Sequence, residues 1–142
     1  MTSHGGLPQP EFDDYAKEYS CLLNHPVRRC FARNPKFFVE RKMDVLRGFL
    51  RRAGRDPSKM SWLDLGCGNG ELLELGSAEF DRVAGCDPSA KMLKGSSSSG
   101  LRVLPATGVA PFEDCSFDLV TTVCVYHHVP PGERRTLGDE VV

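Results

Sequence analysis

Residues 62–70 read Trp-Leu-Asp-Leu-Gly-Cys-Gly-Asn-Gly. A short apolar run, Trp62 to Leu65, gives way at once to glycine at alternate positions, Gly66, Gly68 and Gly70. Glu71-Leu72-Leu73-Glu74-Leu75 then resumes in residues that favour helix. That order describes a strand, a tight glycine turn and a helix start. Without Cβ atoms, such a turn lets a ligand approach backbone N–H groups closely. Asp64 stands just before the turn, and Glu71 occupies the position where the fingerprint G-x-G-x-x-G needs its third glycine. The pattern is G-x-G-x-G, which argues against a pyrophosphate ligand and an NAD-type oxidoreductase.

The chain alternates from there. Ser61–Leu65 reads as a strand and Gly70–Phe80 as a helix; Arg82–Cys86 is a second strand. Ser89–Lys94 is a short helix with Ser89 as N-cap. Gly95-Ser96-Ser97-Ser98-Ser99-Gly100 is a low-complexity connector. Leu101–Leu104 and Phe117–Cys124 are third and fourth strands, and Pro131–Val142 opens another helix. Strands alternating with helices predict an α/β fold, a Rossmann-like doubly wound parallel sheet. Upstream, Asn34-Pro35 starts a helix that ends at Gly54. Val39, Met43, Leu46, Leu50 and Ala53 form its apolar stripe, which should face the sheet. Residues 1–34 are an N-terminal helical extension, with Phe12 to Leu23 as a short helix; residues 35–142 hold the α/β domain.

Composition narrows the class. With 40% hydrophobic and 26% charged residues, the chain is ordinary for a globular protein. It has no apolar run of spanning length and no signal peptide, so a cytoplasmic protein with no membrane partner is expected. None of the six cysteines forms a C-x-x-C pair, so no metal site is expected. Cys67, Cys86 and Cys124 should be free thiols at buried strand ends. Net charge is −1, yet residues 1–60 carry 12 basic against 7 acidic side chains (+5), and residues 61–142 carry 6 against 12 (−6). The basic half admits nucleic acid, but its charges are scattered, as on a solvated helix face.

Four segments carry a resemblance. Asp64-Leu65-Gly66-Cys67-Gly68-Asn69-Gly70 resembles the first motif of class I S-adenosylmethionine-dependent methyltransferases. Val83-Ala84-Gly85-Cys86-Asp87-Pro88-Ser89 with Met92-Leu93 resembles their second strand, its terminal acid and the next helix. Pro111 to Val120 resembles the approach to the fourth strand. Tyr126-His127-His128-Val129-Pro130 resembles that strand's exit in the small-molecule subgroup called type 11. Together they cover roughly residues 60–142.

The resemblance implies S-adenosylmethionine as cofactor and transfer of a methyl group to a small-molecule acceptor, with nucleic acid disfavoured as a partner. The alternative is a cofactor-binding module, or truncated pseudo-enzyme, without turnover. In open α/β sheets the ligand lies beyond the strand C-termini, where strand order reverses. Gly66, Gly68 and Gly70 would then give the cofactor close backbone access. Asp64 would act near its amino group or brace the glycine loop. Asp87 would accept from the ribose hydroxyls, and Pro88 would lie against adenine. His127 and His128 are the candidate general bases, with Tyr126 beside them; Tyr15 and Tyr19 resemble an aromatic lid.

Methyltransferases of this kind continue into a fifth strand after the helix that Glu133 to Val142 resembles. The expectation is therefore a truncated chain, with strands one to four present, strands five to seven missing and the fourth strand an exposed edge. No oligomeric state is indicated. Relatives also place an acid, a few residues before the Pro-Phe pair, on the adenine amino group; Ala106 falls at that position here, leaving Thr107 or backbone groups. Restoring the acid as Ala106→Asp should tighten S-adenosylmethionine binding by about 1–2 kcal/mol. Calorimetric titration of the variant against the unsubstituted chain measures this; equal affinities would discard the assignment.

Overall fold

The computed structural model describes residues 36–96, 99–105, 108–139 and 141. Helix α1, Phe37–Arg52, buries Met43 and Leu50 and half-buries Val39 and Leu46. Ala53, the predicted end of the stripe, is exposed because the helix has already stopped. Gly54 (φ 65) donates to the Arg51 carbonyl, and Arg55 donates to that of Leu50, a Schellman ending. The predicted cap at Asn34-Pro35 and the helix Phe12 to Leu23 lie outside the described residues.

Strand β1, Ser61–Leu65, runs where the sequence placed it. Strand β2 is Arg82–Asp87, β3 is Leu101–Val103 and β4 is Leu119–Thr121. The order is β3-β2-β1-β4, and all three pairings are parallel. Leu63 aligns with Ala84 on one side and Val120 on the other, so β1 is central and strand order reverses between β1 and β4. Helix α2 is Glu71–Gly76, α3 is Ala90–Leu93 and α4 is Arg134–Asp139.

Alternation along β1 sorts side chains onto two faces. Trp62 joins Met43, Leu50, Leu73 and Phe80 beneath α1 and α2. Leu63 and Leu65 join Ala84, Cys86 and Leu137 on the α4 side. Helices cover both faces, as the doubly wound fold requires. Trp62 is fully buried, its ring 4.9 Å from that of Phe80. Burying a side chain of that size contributes about 4–6 kcal/mol.

The largest shortfalls from expectation are in three elements. Helix α2 stops at Gly76 rather than Phe80. Ser77 bonds back to the Glu74 carbonyl, and the chain then turns to bring Phe80 onto Trp62. Helix α4 starts only at Arg134. Strand β4 ends at Thr121 rather than Cys124, because β1, its one partner among the described residues, leaves the ladder after Asp64↔Thr121. Strand β4 is half-buried, not buried on both faces, as befits an edge among the described residues. No helix among them is long and apolar enough to cross a membrane.

A Cβ at Gly76 would overlap Trp62 Cζ3. Gly76→Ala should therefore destabilise the fold by about 1–3 kcal/mol, although alanine is the better helix former. Urea unfolding followed by Trp62 fluorescence tests this, and an unchanged or raised midpoint would refute it.

Candidate functional site

The glycine turn takes its shape from β2. The Cys86 carbonyl accepts from Gly66 N at 2.7 Å and Cys67 N at 3.1 Å. Asp87 Oδ2 accepts from Gly68 N at 2.9 Å. Gly70 N donates to the Cys67 carbonyl, and Glu71 N to Asn69 Oδ1. These N–H groups are engaged within the chain, so the turn is not the anion cradle that glycine spacing alone suggests. Gly66 has φ 77, and a Cβ there would overlap Val125 Cγ2. The chain leaving β4 thus closes over the turn, with Cys124 held at φ 61, a conformation costly for a residue other than glycine.

The turn, the β2 exit and the β4 exit enclose one cavity of about 780 Å³. Asp64, Gly66, Gly68, Asp87, Pro88, His127 and His128 all line it. Gly70 is buried outside that lining, where it precedes α2 as its N-cap. Ala106, Thr107, Tyr15 and Tyr19 lie outside the described residues. The volume suits a cofactor-sized ligand.

The two carboxylates differ in surroundings. Asp87 is 7% exposed, and its Oδ1 accepts from Ser89 N at 2.8 Å. Asp87, rather than Asp64, braces the glycine loop. Asp64 is 3% exposed, and its Oδ1 accepts from the Thr121 hydroxyl at 2.6 Å. That hydroxyl accepts in turn from Trp62 Nε1 at 2.8 Å. Burial pushes the Asp64 carboxyl up to about 7; Asp87 adds to this, while Thr121 and Lys42 oppose it. A partly charged carboxyl in a poorly solvated wall attracts a cation.

His127 and His128 are exposed at the rim, ring centroids 3.8 Å apart. Cys124 is exposed too, correcting the expectation of a buried thiol; Cys67 and Cys86 are buried as expected. Burial, with Asp64 and Asp87 nearby, raises the Cys67 thiol far from ionisation, so it is inert at neutral pH. Sequence reading missed Thr121 and Lys42. A hydroxyl in an otherwise apolar strand was the available signal for Thr121; nothing in the stripe of α1 singled out Lys42.

Residues 63–141 match the family model for a methyltransferase domain. The chain is 38% identical over 136 residues to the Arabidopsis thaliana tRNA (carboxymethyluridine(34)-5-O)-methyltransferase, covering 95% of this chain and 30% of that protein. Over 73 residues it is 33% identical to the Bos taurus protein named "Probable tRNA methyltransferase 9B", covering 51% of this chain and 16% of the relative. The chain thus spans under a third of either relative. A solved chain from the complex of the Haloferax volcanii Trm112 methyltransferase activator with its methyltransferase superposes at TM-score 0.59 and 19% identity, covering 96% of this chain and 55% of that one. This likeness shows the fold. The expectations of a small-molecule acceptor and of nucleic acid as an unlikely partner are overturned, because both curated relatives are named for tRNA.

Between about pH 4 and 7 the native state holds a proton on Asp64 that the unfolded chain has released, so stability falls as pH rises through that window. Asp64→Asn removes the titration while keeping an acceptor for Thr121. At pH 8 the variant should be more stable than the unsubstituted chain by roughly 2–4 kcal/mol, with the advantage fading toward pH 4. Denaturant midpoints across that range measure it; a difference independent of pH would refute the assignment.

Proposed function

The chain belongs to the methyltransferase domain family, and from that premise we propose that it binds S-adenosylmethionine and directs methyl transfer to an oxygen of a modified tRNA uridine. The carrying observation is the 38% identity to the Arabidopsis tRNA methyltransferase across 95% of this chain.

The site's chemistry suits the cofactor. Asp64, with no hydrogen bond to Oδ2 among the described residues, suits the ligand's ammonium. Asp87 would take the ribose hydroxyls and Pro88 one face of adenine, with Ala106 and Thr107 near its edge by resemblance. The self-satisfied glycine turn offers close approach at Gly66 and Gly68, while leaving a pyrophosphate few donors. When bound, the cofactor supplies an electrophilic methyl on a sulfonium.

The chain's own task is then alignment and exclusion of water. A carboxymethyl oxygen, the atom named for the Arabidopsis relative, is already anionic at neutral pH and needs no general base. His127 and His128 are accordingly assigned to positioning this acceptor at the rim. Lys42, which lines the same cavity from α1, supplies a complementary charge. Arg51, Arg52 and Arg55 are exposed where α1 ends, a basic surface suited to phosphates.

Calorimetry should show heat with S-adenosylmethionine and none with NAD. Labelled methyl should enter tRNA bearing carboxymethyluridine, and tRNA affinity should fall at least tenfold between about 50 and 200 mM salt while cofactor affinity barely changes. Binding of S-adenosylmethionine without transfer to any tRNA would overturn the enzymatic reading and leave a binding module.

A further inference from the structure

Thr121 is unexplained by packing. It is a hydroxyl residue in an apolar strand, paired in register with Asp64 across the β1–β4 ladder. Its oxygen accepts from Trp62 Nε1 at 2.8 Å, which directs its single proton to Asp64 Oδ1 at 2.6 Å. The donor end is held: Trp62 is fully buried, with its ring packed against that of Phe80.

We propose that Thr121 is a positioning residue for cofactor binding, whose hydroxyl, oriented by Trp62, clamps Asp64 Oδ1 and leaves Oδ2 to a ligand cation. This rests on the cofactor reading above. The clamp has two effects. It fixes the carboxylate plane, and it favours the charged form, since a donated hydrogen bond stabilises the anion. The other groups around Asp64 divide: Lys42 on α1 favours the charge, Asp87 on β2 opposes it, and the Cys67 thiol is neutral. Thr121 therefore helps decide how much of Asp64 is ionised at neutral pH.

Thr121→Val keeps the shape and removes the hydroxyl; Thr121→Ser restores it. The first readout is NMR titration of the Asp64 carboxyl in the ligand-free chain. Its midpoint should rise by about one pH unit in Thr121→Val and return in Thr121→Ser. The second is calorimetry at pH 7, where Thr121→Val should bind S-adenosylmethionine about fivefold more weakly, given a carboxyl that is about half ionised before the change and about one-tenth after. Methylthioadenosine, which lacks the amino-acid group, should bind both variants as it binds the unsubstituted chain. An unmoved Asp64 midpoint overturns the proposal, as does equal weakening toward methylthioadenosine, which would mean general damage to the site. Failure of the unsubstituted chain to bind S-adenosylmethionine would instead strike the cofactor reading, with the NMR titration still deciding the clamp.

Discussion

The end of β2 holds the site together. Two atoms there, the Cys86 carbonyl oxygen and Asp87 Oδ2, accept three backbone N–H groups from the glycine turn after β1. A turn this buried cannot leave its donors unpaired, because each orphan would cost about 1–3 kcal/mol. Pairing them against the neighbouring strand sets the path of the turn, and that path leaves a space which Val125 closes from the β4 side. The cavity and the path of the loop follow from that bonding.

The same bonding decides what the cavity can hold. A turn whose N–H groups are already engaged cannot cradle phosphates. Two buried carboxylates at the ends of adjacent strands face the cavity instead. They are not equivalent: Asp87 is committed to backbone donors, whereas Asp64 is tied to the core through Thr121 and Trp62. One buried indole therefore joins the core to the cavity wall, and substitutions near Trp62 should be read at both places.

The histidine rim has a different character. His127 and His128 line the cavity yet stand exposed to solvent. Val39 and Lys42, near the start of α1, reach the same cavity, whereas Arg51 and Arg52 stand at the other end of that helix.

Much of this was legible beforehand, for local reasons. Strand β1, its glycine turn, the Ser89 cap and the stripe of α1 follow from periodicity and from residues with one strong backbone preference. Asp64 and Asp87 were visible as acids at strand ends. By contrast, the lengths of α2 and β4 depended on which neighbours were present to pair with. The acceptor class was misread from a short motif, and identity across the chain corrected it. By itself, the sequence determined the order of elements, the place of the crevice and the acids that face it, because these depend on alternation and on spacing along the chain. Only the tertiary structure decided that Asp87 braces the loop, that the loop's donors are closed to phosphate and that Thr121 joins Trp62 to Asp64. Those depend on which atoms of separate strands meet, and register across a sheet is a property no single strand carries.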